Sequence, residues 1–572
     1  MTDLIDGAIG WPAEAEQRYR RAGHWGDDTL GDLLARWAAR YGDAVAVVAG
    51  PTRLTYAGLD RAAGDRARSL RALGIGVGDR VVVHLPNVAE FAVTLFGLLR
   101  AGAVPVLTLP AHRQAEIEHL AALSGAVGYV GPDVVDGFDH RELALAVAGA
   151  VPSLRHLLVD GEPVPGTTAL AGLPAGTAEP LPEPDPGQVA VLLVSGGTTG
   201  KPKLIPRTHR DYAYNARASA EVCGLTADDV YLACLPLAHN FPLACPGLLG
   251  TLGVGGTVVL APAPSPDVTL DLVDAEGVTV TAMVPPLLRL WTDLAGGGRG
   301  RWGLSTLRLV QVGGAKCDET LARRVRPELD ATVQQVFGMA EGLLNFTRLD
   351  DPDDVVAVSQ GRPLSPADEI RVVDDRTGDD VPDGAVGELW TRGPYTLRGY
   401  YRAREHDATS FTPDGYYRTG DLVRLLPTGH LVVEGRIKDV INRGGENVAA
   451  TELEEHLLAH PDIAGAAVLA IPDDDLGEAV CAAIVPARGA VAPKRRAIRE
   501  FLTARGLARF MSPDKVVVRD ELPLTAVGKI DKRALGEQLA GAPVTRCARL
   551  ACPAASRPTP RSGPAARSPG PG

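Results

Sequence analysis

The feature that most constrains the fold is a series of short apolar runs separated by longer helical patterns. The clearest runs are Arg80–Leu85, Thr257–Leu260, Val278–Val284 and Leu307–Val312, and the helical stretch Ala89–Arg100 follows the first of them. Runs without polar alternation are typical of strands buried on both faces, and the helices supply the crossovers that parallel strands need. The pattern predicts an α/β protein with mainly parallel sheets covered by helices.

The pattern changes near residue 368. Glu369–Val373, a turn at Asp374–Asp375 and Gly387–Trp390 predict a small region of short antiparallel strands. A compact α+β segment follows, in which a helix is expected to begin near Thr451 because its spacing to Glu454 fits a capping box.

These changes predict three parts. Residues 1–437 form a large N-terminal domain, and residues 438–540 form a small, mobile α+β domain. Residues 541–572 form a tail rich in Pro, Ala and Arg, which has too few large apolar residues to build a core and is expected to be disordered.

The charge balance and the cysteine pattern exclude several classes of protein. The 58 basic and 70 acidic residues give a net charge of −12, which argues against a nucleic-acid or anionic membrane surface. The seven cysteines lack C-x-x-C spacing, so neither a zinc site nor a disulfide framework is indicated. The start has no signal-peptide pattern and no apolar run reaches the roughly 20 residues of a membrane span. We expect a cytoplasmic enzyme with no nucleic-acid or membrane partner.

A phosphate-binding loop follows the apolar run Val189–Leu193. Glycines let the backbone approach a polyphosphate, hydroxyls donate hydrogen bonds, and lysine adds charge. The loop is not a P-loop, because Ser195 and Pro202 stand where that pattern needs Gly and Ser or Thr. The alternative is a flexible surface turn. The predicted ATP-binding residues here are Ser195, Gly196, Gly197, Thr198, Thr199, Gly200 and Lys203.

Read onward to His209, this loop resembles the phosphate loop of the adenylate-forming (ANL) superfamily, which includes acyl-CoA synthetases, peptide-synthetase adenylation domains and luciferases. Further segments resemble that superfamily's motifs and occur in its order, so that the resemblance covers nearly the whole chain to about Leu539. These segments are Phe337–Glu341, Tyr417–Leu422, Gly435–Asp439 and Pro523–Asp531.

The resemblance implies a role for one residue in each motif. Glu341 would help to hold Mg²⁺ with the ATP phosphates, and Asp421 would accept hydrogen bonds from the ribose hydroxyls. Arg436 would contact ribose or phosphate, and Lys438 would be the hinge about which the small domain rotates between two half-reactions. Lys529 would be the catalytic lysine, bridging the substrate carboxylate and the α-phosphate. An exposed Glu and a structural Asp are the alternatives for Glu341 and Asp421.

The segment Leu235–Gly247 resembles the aryl-acid branch, the stand-alone ligases that activate 2,3-dihydroxybenzoate or salicylate. Amino-acid-activating relatives have Asp where Asn240 stands, and a neutral Asn cannot pair with a substrate ammonium. Asn240 can instead donate to a carboxylate or an ortho phenol oxygen. His239 and Phe241 would flank the aromatic ring, although His239 could also be a core histidine.

Two further positions complete the predicted pocket. Gly313 and Gly314 would form its floor, with Gly314 also contacting adenine. Cys245 stands where members selective for 2,3-dihydroxybenzoate tend to have Ser. Because a thiol is a poor hydrogen-bonding group, Cys245 favours a bare C3–H and therefore salicylate, by about 10²-fold at best.

These observations lead to one expected activity and two alternatives. The chain is expected to use ATP and Mg²⁺ to convert an aromatic hydroxy acid to its aryl adenylate with release of pyrophosphate. The aryl group would then pass to the phosphopantetheine thiol of an aryl carrier protein on a separate chain, in siderophore or related nonribosomal peptide biosynthesis. An aryl-CoA ligase and a non-catalytic aryl-acid-binding homologue are the alternatives.

Overall fold

A computed structural model describes residues 5–176, 180–195, 201–297, 302–443, 446–473, 476–505, 507, 509–525, 528–540 and 570. Within these residues the α-helices are α1 Ala13–Arg21, α2 Leu30–Tyr41, α3 Tyr56–Ala72, α4 Ala89–Ala101, α5 Gln114–Ser124, α6 His140–Ala150, α7 His209–Val222, α8 Asn240–Ala244, α9 Gly247–Val254, α10 Pro266–Glu276, α11 Pro285–Gly297, α12 Glu319–Leu329, α13 Asp353–Val358, α14 Arg404–Ser410, α15 Ala450–Leu458, α16 Arg495–Ala504 and α17 Lys532–Ala540.

The strands of the same residues are β1 Val45–Ala49, β2 Thr52–Thr55, β3 Arg80–Val83, β4 Val104–Leu107, β5 Gly128–Pro132, β6 Val134–Val135, β7 Phe138–Asp139, β8 His156–Asp160, β9 Thr168–Ala169, β10 Val189–Val194, β11 Leu204–Thr208, β12 Val230–Ala233, β13 Thr257–Leu260, β14 Val280–Met283, β15 Leu309–Gly313, β16 Thr332–Met339, β17 Leu343–Phe346, β18 Arg362–Pro363, β19 Glu369–Val373, β20 Val386–Arg392, β21 Tyr417–Leu425, β22 Leu431–Arg436, β23 Val440–Arg443, β24 Glu446–Ala449, β25 Ile463–Asp473, β26 Gly477–Pro486 and β27 Lys515–Val518.

Two mainly parallel sheets build the large domain. One has the order β18-β17-β16-β15-β14-β12-β13-β1-β2 and is parallel from β16 to β1, and the other has the order β11-β10-β4-β3-β5-β8-β9 and is parallel from β10 to β9. Helix α4 is buried on nearly every side, in one hydrophobic core with residues of both sheets. A helix that is apolar all round is stable only in such a position.

Two smaller sheets follow in the chain. Strands β19 to β22 form a four-stranded antiparallel sheet, as the sequence predicts. The small C-terminal domain has a sheet of order β24-β23-β26-β25 with β27 parallel to β26, and α15, α16 and α17 pack with it. The predicted fold class, a large domain of mainly parallel sheets plus a small α+β domain, is confirmed.

The helix predicted to begin near Thr451 is confirmed, but its predicted capping box is wrong. Helix α15 begins at Ala450, with Ala449 as its N-cap and no side-chain capping bond. Thr451 therefore lies inside the first turn, where its hydroxyl cannot cap the helix. Its supposed partner Glu454 instead accepts a hydrogen bond from Val468 N over 2.6 Å and forms an ion pair with Lys532. The spacing fitted a capping box by coincidence.

The domain limits at 437 and 540 and the mobility of the small domain stay predictions. Residues 541–569, 571 and 572 of the predicted tail lie outside the described residues. Among the described helices, none combines the length and the apolar character that crossing a membrane requires.

Candidate active site

The predicted phosphate-binding loop leaves its sheet between the paired strands β10 and β11. Ser195 N donates to the carbonyl of Lys203 over 2.9 Å, and Lys203 N donates to Oγ of Ser195 over 2.9 Å. These reciprocal bonds join the two ends of the loop. The predicted ATP contacts of Gly196, Gly197, Thr198, Thr199 and Gly200 lie outside the described residues and stay predictions.

Glu341 lies in the tight turn between β16 and β17. The next residue, Gly342, has a φ of +94°, and a Cβ there would collide with the carbonyl of Tyr395, so only glycine fits. The hydroxyl of Tyr400 donates to Oε1 of Glu341 over 2.8 Å and lies 2.8 Å from the hydroxyl of Tyr417. The Tyr400 phenol, which is itself hydrogen-bonded to Tyr417, therefore holds the Glu341 carboxylate in place.

The surroundings of Glu341 suit a metal that arrives with ATP. Among the described residues, no group of three or more His, Cys, Asp or Glu side chains could hold a metal alone. Mg²⁺ is usually bound through one or two carboxylates together with water and substrate phosphates. Nζ of Lys203, at the end of the phosphate loop, lies 5.5 Å from the centre of the Tyr400 ring that also supports Glu341. One carboxylate beside the phosphate loop fits Mg²⁺–ATP.

Asp421 and Arg436 face each other on the paired strands β21 and β22. Nε of Arg436 donates to Oδ1 of Asp421 over 2.7 Å. Asp421 is buried, which raises its pKa above the ordinary value, and the charge of Arg436 opposes that shift. Lys438, the predicted hinge, follows in the short 3₁₀ turn Ile437–Asp439, between the antiparallel sheet and the sheet of the small domain.

Lys529 reaches from the small domain to the large one. It lies in a short turn closed by the bridge between Leu524 and Ile530, and its carbonyl accepts a hydrogen bond from Thr525 N over 2.6 Å. A methyl group built on Gly314 of the large domain would lie 3.0 Å from Cε of Lys529. The structure therefore brings the predicted catalytic lysine against the predicted pocket floor.

The charges around Lys529 come from the other predicted motifs. Burial and the positive charge of Arg436 lower the pKa of Lys529 to about 8, while Asp421 and Glu341 act in the opposite direction. Burial and the charge of Lys529 lower the pKa of His239 to about 3, so this imidazole is neutral at ordinary pH. Residues that are nearly 300 positions apart in the sequence thus share one electrostatic environment.

The predicted aryl pocket is built on the short helix α8. His239 is its N-cap and accepts a hydrogen bond at Nδ1 from Phe241 N over 3.3 Å. A methyl group on Gly313 would lie 3.1 Å from Cε1 of Phe241 and 2.7 Å from the carbonyl of Val336, so glycine leaves space for the Phe241 ring. Gly313, Gly314, Phe241 and the Lys529 side chain are therefore adjacent.

Asn240 and Cys245 also contact each other. Nδ2 of Asn240 donates to Sγ of Cys245 over 3.3 Å, and Sγ donates to the carbonyl of Asn240 over 3.4 Å. Both side chains are buried. Nδ2 of Asn215 on α7 also donates to Sγ of Cys245 over 3.8 Å, so the weak hydrogen-bonding capacity of the thiol is used within the protein.

A buried polar network behind the pocket was not predicted. Arg207 donates from Nε to Oδ1 of Asp211 over 2.7 Å, from Nη1 to the carbonyl of Ala340 over 3.1 Å, and from Nη2 to Oδ1 of Asn215 over 3.3 Å. Asn215 in turn donates to the carbonyl of Ala244 over 2.7 Å. The guanidinium therefore links the turn that carries Glu341 to α8. Its signal in the sequence is a lone charge in an apolar strand.

A second missed residue joins the two domains. Nζ of Lys316, two residues after the pocket floor, lies 2.7 Å from Oε1 of Glu455 on α15 and 3.9 Å from Oε2 of Glu434 on β22. The sequence offers no signal for this pair, because the contact depends on how the small domain sits on the large one.

Comparison with known proteins agrees with this geometry. Residues 34–401 match the family described as AMP-binding enzyme, and residues 452–529 match the AMP-binding enzyme C-terminal domain. The chain is 50% identical to a 2,3-dihydroxybenzoate-AMP ligase of Bacillus subtilis (94% of this chain, 98% of the relative). It is 51% identical to the salicyl-AMP ligase / salicyl-S-ArCP synthetase of Mycobacterium tuberculosis (95% and 97%). The apo structure of Mycobacterium smegmatis MbtA is 52% identical, with a TM-score of 0.73 (94% and 100%).

The chain belongs to the AMP-binding enzyme family, the adenylate-forming superfamily, and within it to the aryl-acid–AMP ligase branch. It is an acid–AMP ligase that uses ATP, and the alternative of a non-catalytic homologue is set aside. The individual site roles of Lys529, Asp421, Glu341 and the pocket residues stay predictions.

Proposed function

We propose that this ligase activates salicylate in preference to 2,3-dihydroxybenzoate and passes the aryl group to the phosphopantetheine thiol of a separate aryl carrier protein, in siderophore or related nonribosomal peptide biosynthesis. The observation that carries the proposal is the position of Lys529 against Gly314, beside the wall that Gly313 and Phe241 form. An acid held against that wall has its carboxylate within reach of the lysine.

The chain's own residues divide the work of adenylation. The phosphate loop with Lys203 and the pair Asp421–Arg436 hold the triphosphate and ribose, and Glu341 would share Mg²⁺ with the phosphates, which neutralises charge there. Lys529 places a cation between the acid's carboxylate and the α-phosphorus that it attacks, where negative charge grows. The carboxylate oxygen bonds to phosphorus and pyrophosphate leaves, so no proton transfer is required.

The preference for salicylate rests on Asn240 and Cys245. A neutral Asn240 offers no partner to an ammonium, which argues against an amino acid. The Cys245 thiol is engaged by Asn240 and is poorly suited to bind a 3-hydroxyl. Relatives of nearly equal identity carry the names of both acids, so the choice depends on the pocket.

ATP–pyrophosphate exchange with salicylate, 2,3-dihydroxybenzoate and benzoate tests this proposal. We expect kcat/KM to be highest for salicylate, by about tenfold over the dihydroxy acid, since an apolar wall rejects an added hydroxyl only weakly. Cys245→Ser should move the ratio toward the dihydroxy acid, and Cys481→Ser, at a buried cysteine of the small domain, is the matched control. Exchange with none of these acids would contradict the proposed substrate class.

The acceptor thiol is tested separately. Purified aryl adenylate offered free CoA or a phosphopantetheinylated aryl carrier protein should be consumed at least tenfold faster with the carrier. Faster consumption with CoA would instead support the aryl-CoA ligase alternative.

The pair Lys316–Glu455 predicts unequal effects on the two half-reactions. Lys316→Ala is expected to slow adenylation about two- to fivefold, because a partly exposed ion pair that holds the small domain in place contributes up to about 1 kcal/mol. Transfer from preformed aryl adenylate should be unchanged or faster. Single-turnover measurements of each half-reaction distinguish these outcomes.

Two further variants sharpen this prediction. Glu455→Gln should reproduce the effect, and Glu452→Gln, at an exposed position on the same helix, should not. Equal slowing of both half-reactions by Lys316→Ala would rule out a role in holding the domain orientation.

A further inference from the structure

The hydroxyl of Tyr212 meets the side chain of Asn240 inside the large domain. Tyr212 lies on α7 and is fully buried, with the Cζ of Arg207 4.8 Å from the centre of its ring. Burial raises the pKa of Tyr212 well above its ordinary value, so the side chain is a neutral phenol. Its hydroxyl donates to Oδ1 of Asn240 over 3.0 Å.

This bond decides which end of the Asn240 amide faces which neighbour. The two ends of an asparagine amide have nearly the same shape, so only their hydrogen-bond partners distinguish the two orientations. Among the described residues, Asn240 is the partner of the Tyr212 hydroxyl. If the amide turned over, Nδ2 would face the phenol, and a buried O–H would be left without an acceptor, which is costly.

The fixed orientation leaves a donor on the other side of the amide. Nδ2 carries two hydrogens, and one of them points to Sγ of Cys245 over 3.3 Å. The second is the group that Asn240 can offer to a ligand held between Phe241 and the pocket floor. A freely turning amide could offer a carbonyl oxygen equally well.

We propose that Tyr212 is a positioning residue that makes Asn240 present an N–H to the bound acid, and that it thereby selects aromatic acids whose ortho substituent accepts a hydrogen bond. The proposal rests on the proposed function, since it assumes an aryl acid beside Asn240. In salicylate the ortho hydroxyl donates its hydrogen to the acid's own carboxylate. The lone pairs of the hydroxyl oxygen are then free to accept a hydrogen bond from Asn240. In anthranilate the outward group is a second N–H, so two donors would face each other.

The test compares salicylate, anthranilate and benzoate in ATP–pyrophosphate exchange with the wild-type enzyme and Tyr212→Phe. In the variant we expect KM for salicylate to rise about tenfold with a smaller change in kcat, because positioning is lost while Lys529 is untouched. The kcat/KM for anthranilate should rise, so that the salicylate-to-anthranilate ratio falls at least tenfold. Benzoate, which has no ortho group, should change less than twofold.

Tyr214 provides the matched control on the same helix. It is also buried, and its hydroxyl donates to Oγ of Ser365 over 2.6 Å, away from Asn240. Tyr214→Phe should leave the salicylate-to-anthranilate ratio unchanged. An equal fall in both variants would mean that loss of a buried hydroxyl merely loosens the domain, and the proposal would be overturned.

The wild-type enzyme supplies a test that does not depend on any variant folding. Anthranilate should be a poorer substrate than benzoate by at least tenfold, although it differs only by the amine. Comparable use of anthranilate and salicylate would overturn the role of Tyr212 while leaving aryl-acid activation intact. Failure of every aryl acid would instead overturn the proposed function itself.

Discussion

Replacing Lys529 with alanine is expected to reduce the rate of adenylation by about 10²–10³-fold, the usual loss when a group aimed at developing transition-state charge is removed. Transfer from preformed aryl adenylate to the thiol should change little, because that step needs no cation between carboxylate and phosphate. Pyrophosphate exchange and single-turnover transfer measure the two half-reactions. Lys529 lies in a turn of the small domain, so the variant is expected to fold.

The pH dependence of adenylation gives a second readout of the same residue. Burial and Arg436 lower the pKa of Lys529 to about 8, so its charge is present below that value and is lost as pH rises through it. The kcat/KM for adenylation should therefore fall above about pH 8. In Lys529→Arg, whose cation persists, the fall should be absent even if the rate is lower.

Arg533, on the helix that follows Lys529, provides the control for both of these predictions. Arg533→Ala removes an exposed cation four residues away and should leave both the rate and the pH profile unchanged. Full adenylation activity in Lys529→Ala would remove the catalytic role assigned to this lysine.

The second large effect is expected on stability. Arg207→Met should lower the free energy of unfolding of the large domain by about 3–5 kcal/mol. This is the loss typical of removing one partner of a buried ion pair. The Arg207 and Asp211 side chains are 1% and 4% exposed, so removal of the guanidinium leaves a buried carboxylate uncompensated. The carbonyl of Ala340 and the amide of Asn215 also lose their donor. Urea unfolding measures the change.

Two companion variants check this explanation. Arg207→Met combined with Asp211→Leu should recover part of the loss, because the uncompensated charge is then gone. Arg61→Met, at an exposed position on α3, should change stability by less than about 0.5 kcal/mol. A single Arg207→Met variant as stable as the wild-type protein would show that the ion pair contributes no net stability.

Local patterns predicted the parallel sheets because short, continuous apolar runs between helices are typical of strands that are buried on both faces. Thr257–Leu260 forms a strand with the predicted bounds, and the antiparallel region begins at Glu369 as expected. The predicted cap at Thr451 failed because the pattern also fits a position inside the first turn. The spacing of Thr and Glu in a sequence does not distinguish an N-cap residue from a residue in the first turn of the helix.

Recognition of motifs, and not periodicity, indicated which distant residues belong together. The approach of Lys529 to Gly314 follows from how two domains sit on each other, which no local pattern encodes. Arg207 and Lys316 were missed because the local sequence does not show whether a charged side chain faces solvent or a carboxylate. The partner of Arg207 is only four residues away and is buried with it, whereas the partner of Lys316 lies in the other domain.

Asp421 and Arg436 lie on paired strands before Lys438, whereas Lys529 lies far beyond it in the small domain. The predicted rotation about Lys438 would therefore carry the lysine away from the pocket and leave the pair where it was. The reaction's product is a mixed anhydride that water destroys. Since Asp421 and Arg436 would still hold the ribose of this anhydride after Lys529 has moved away, we expect the chain to begin thiol transfer without releasing the intermediate to water.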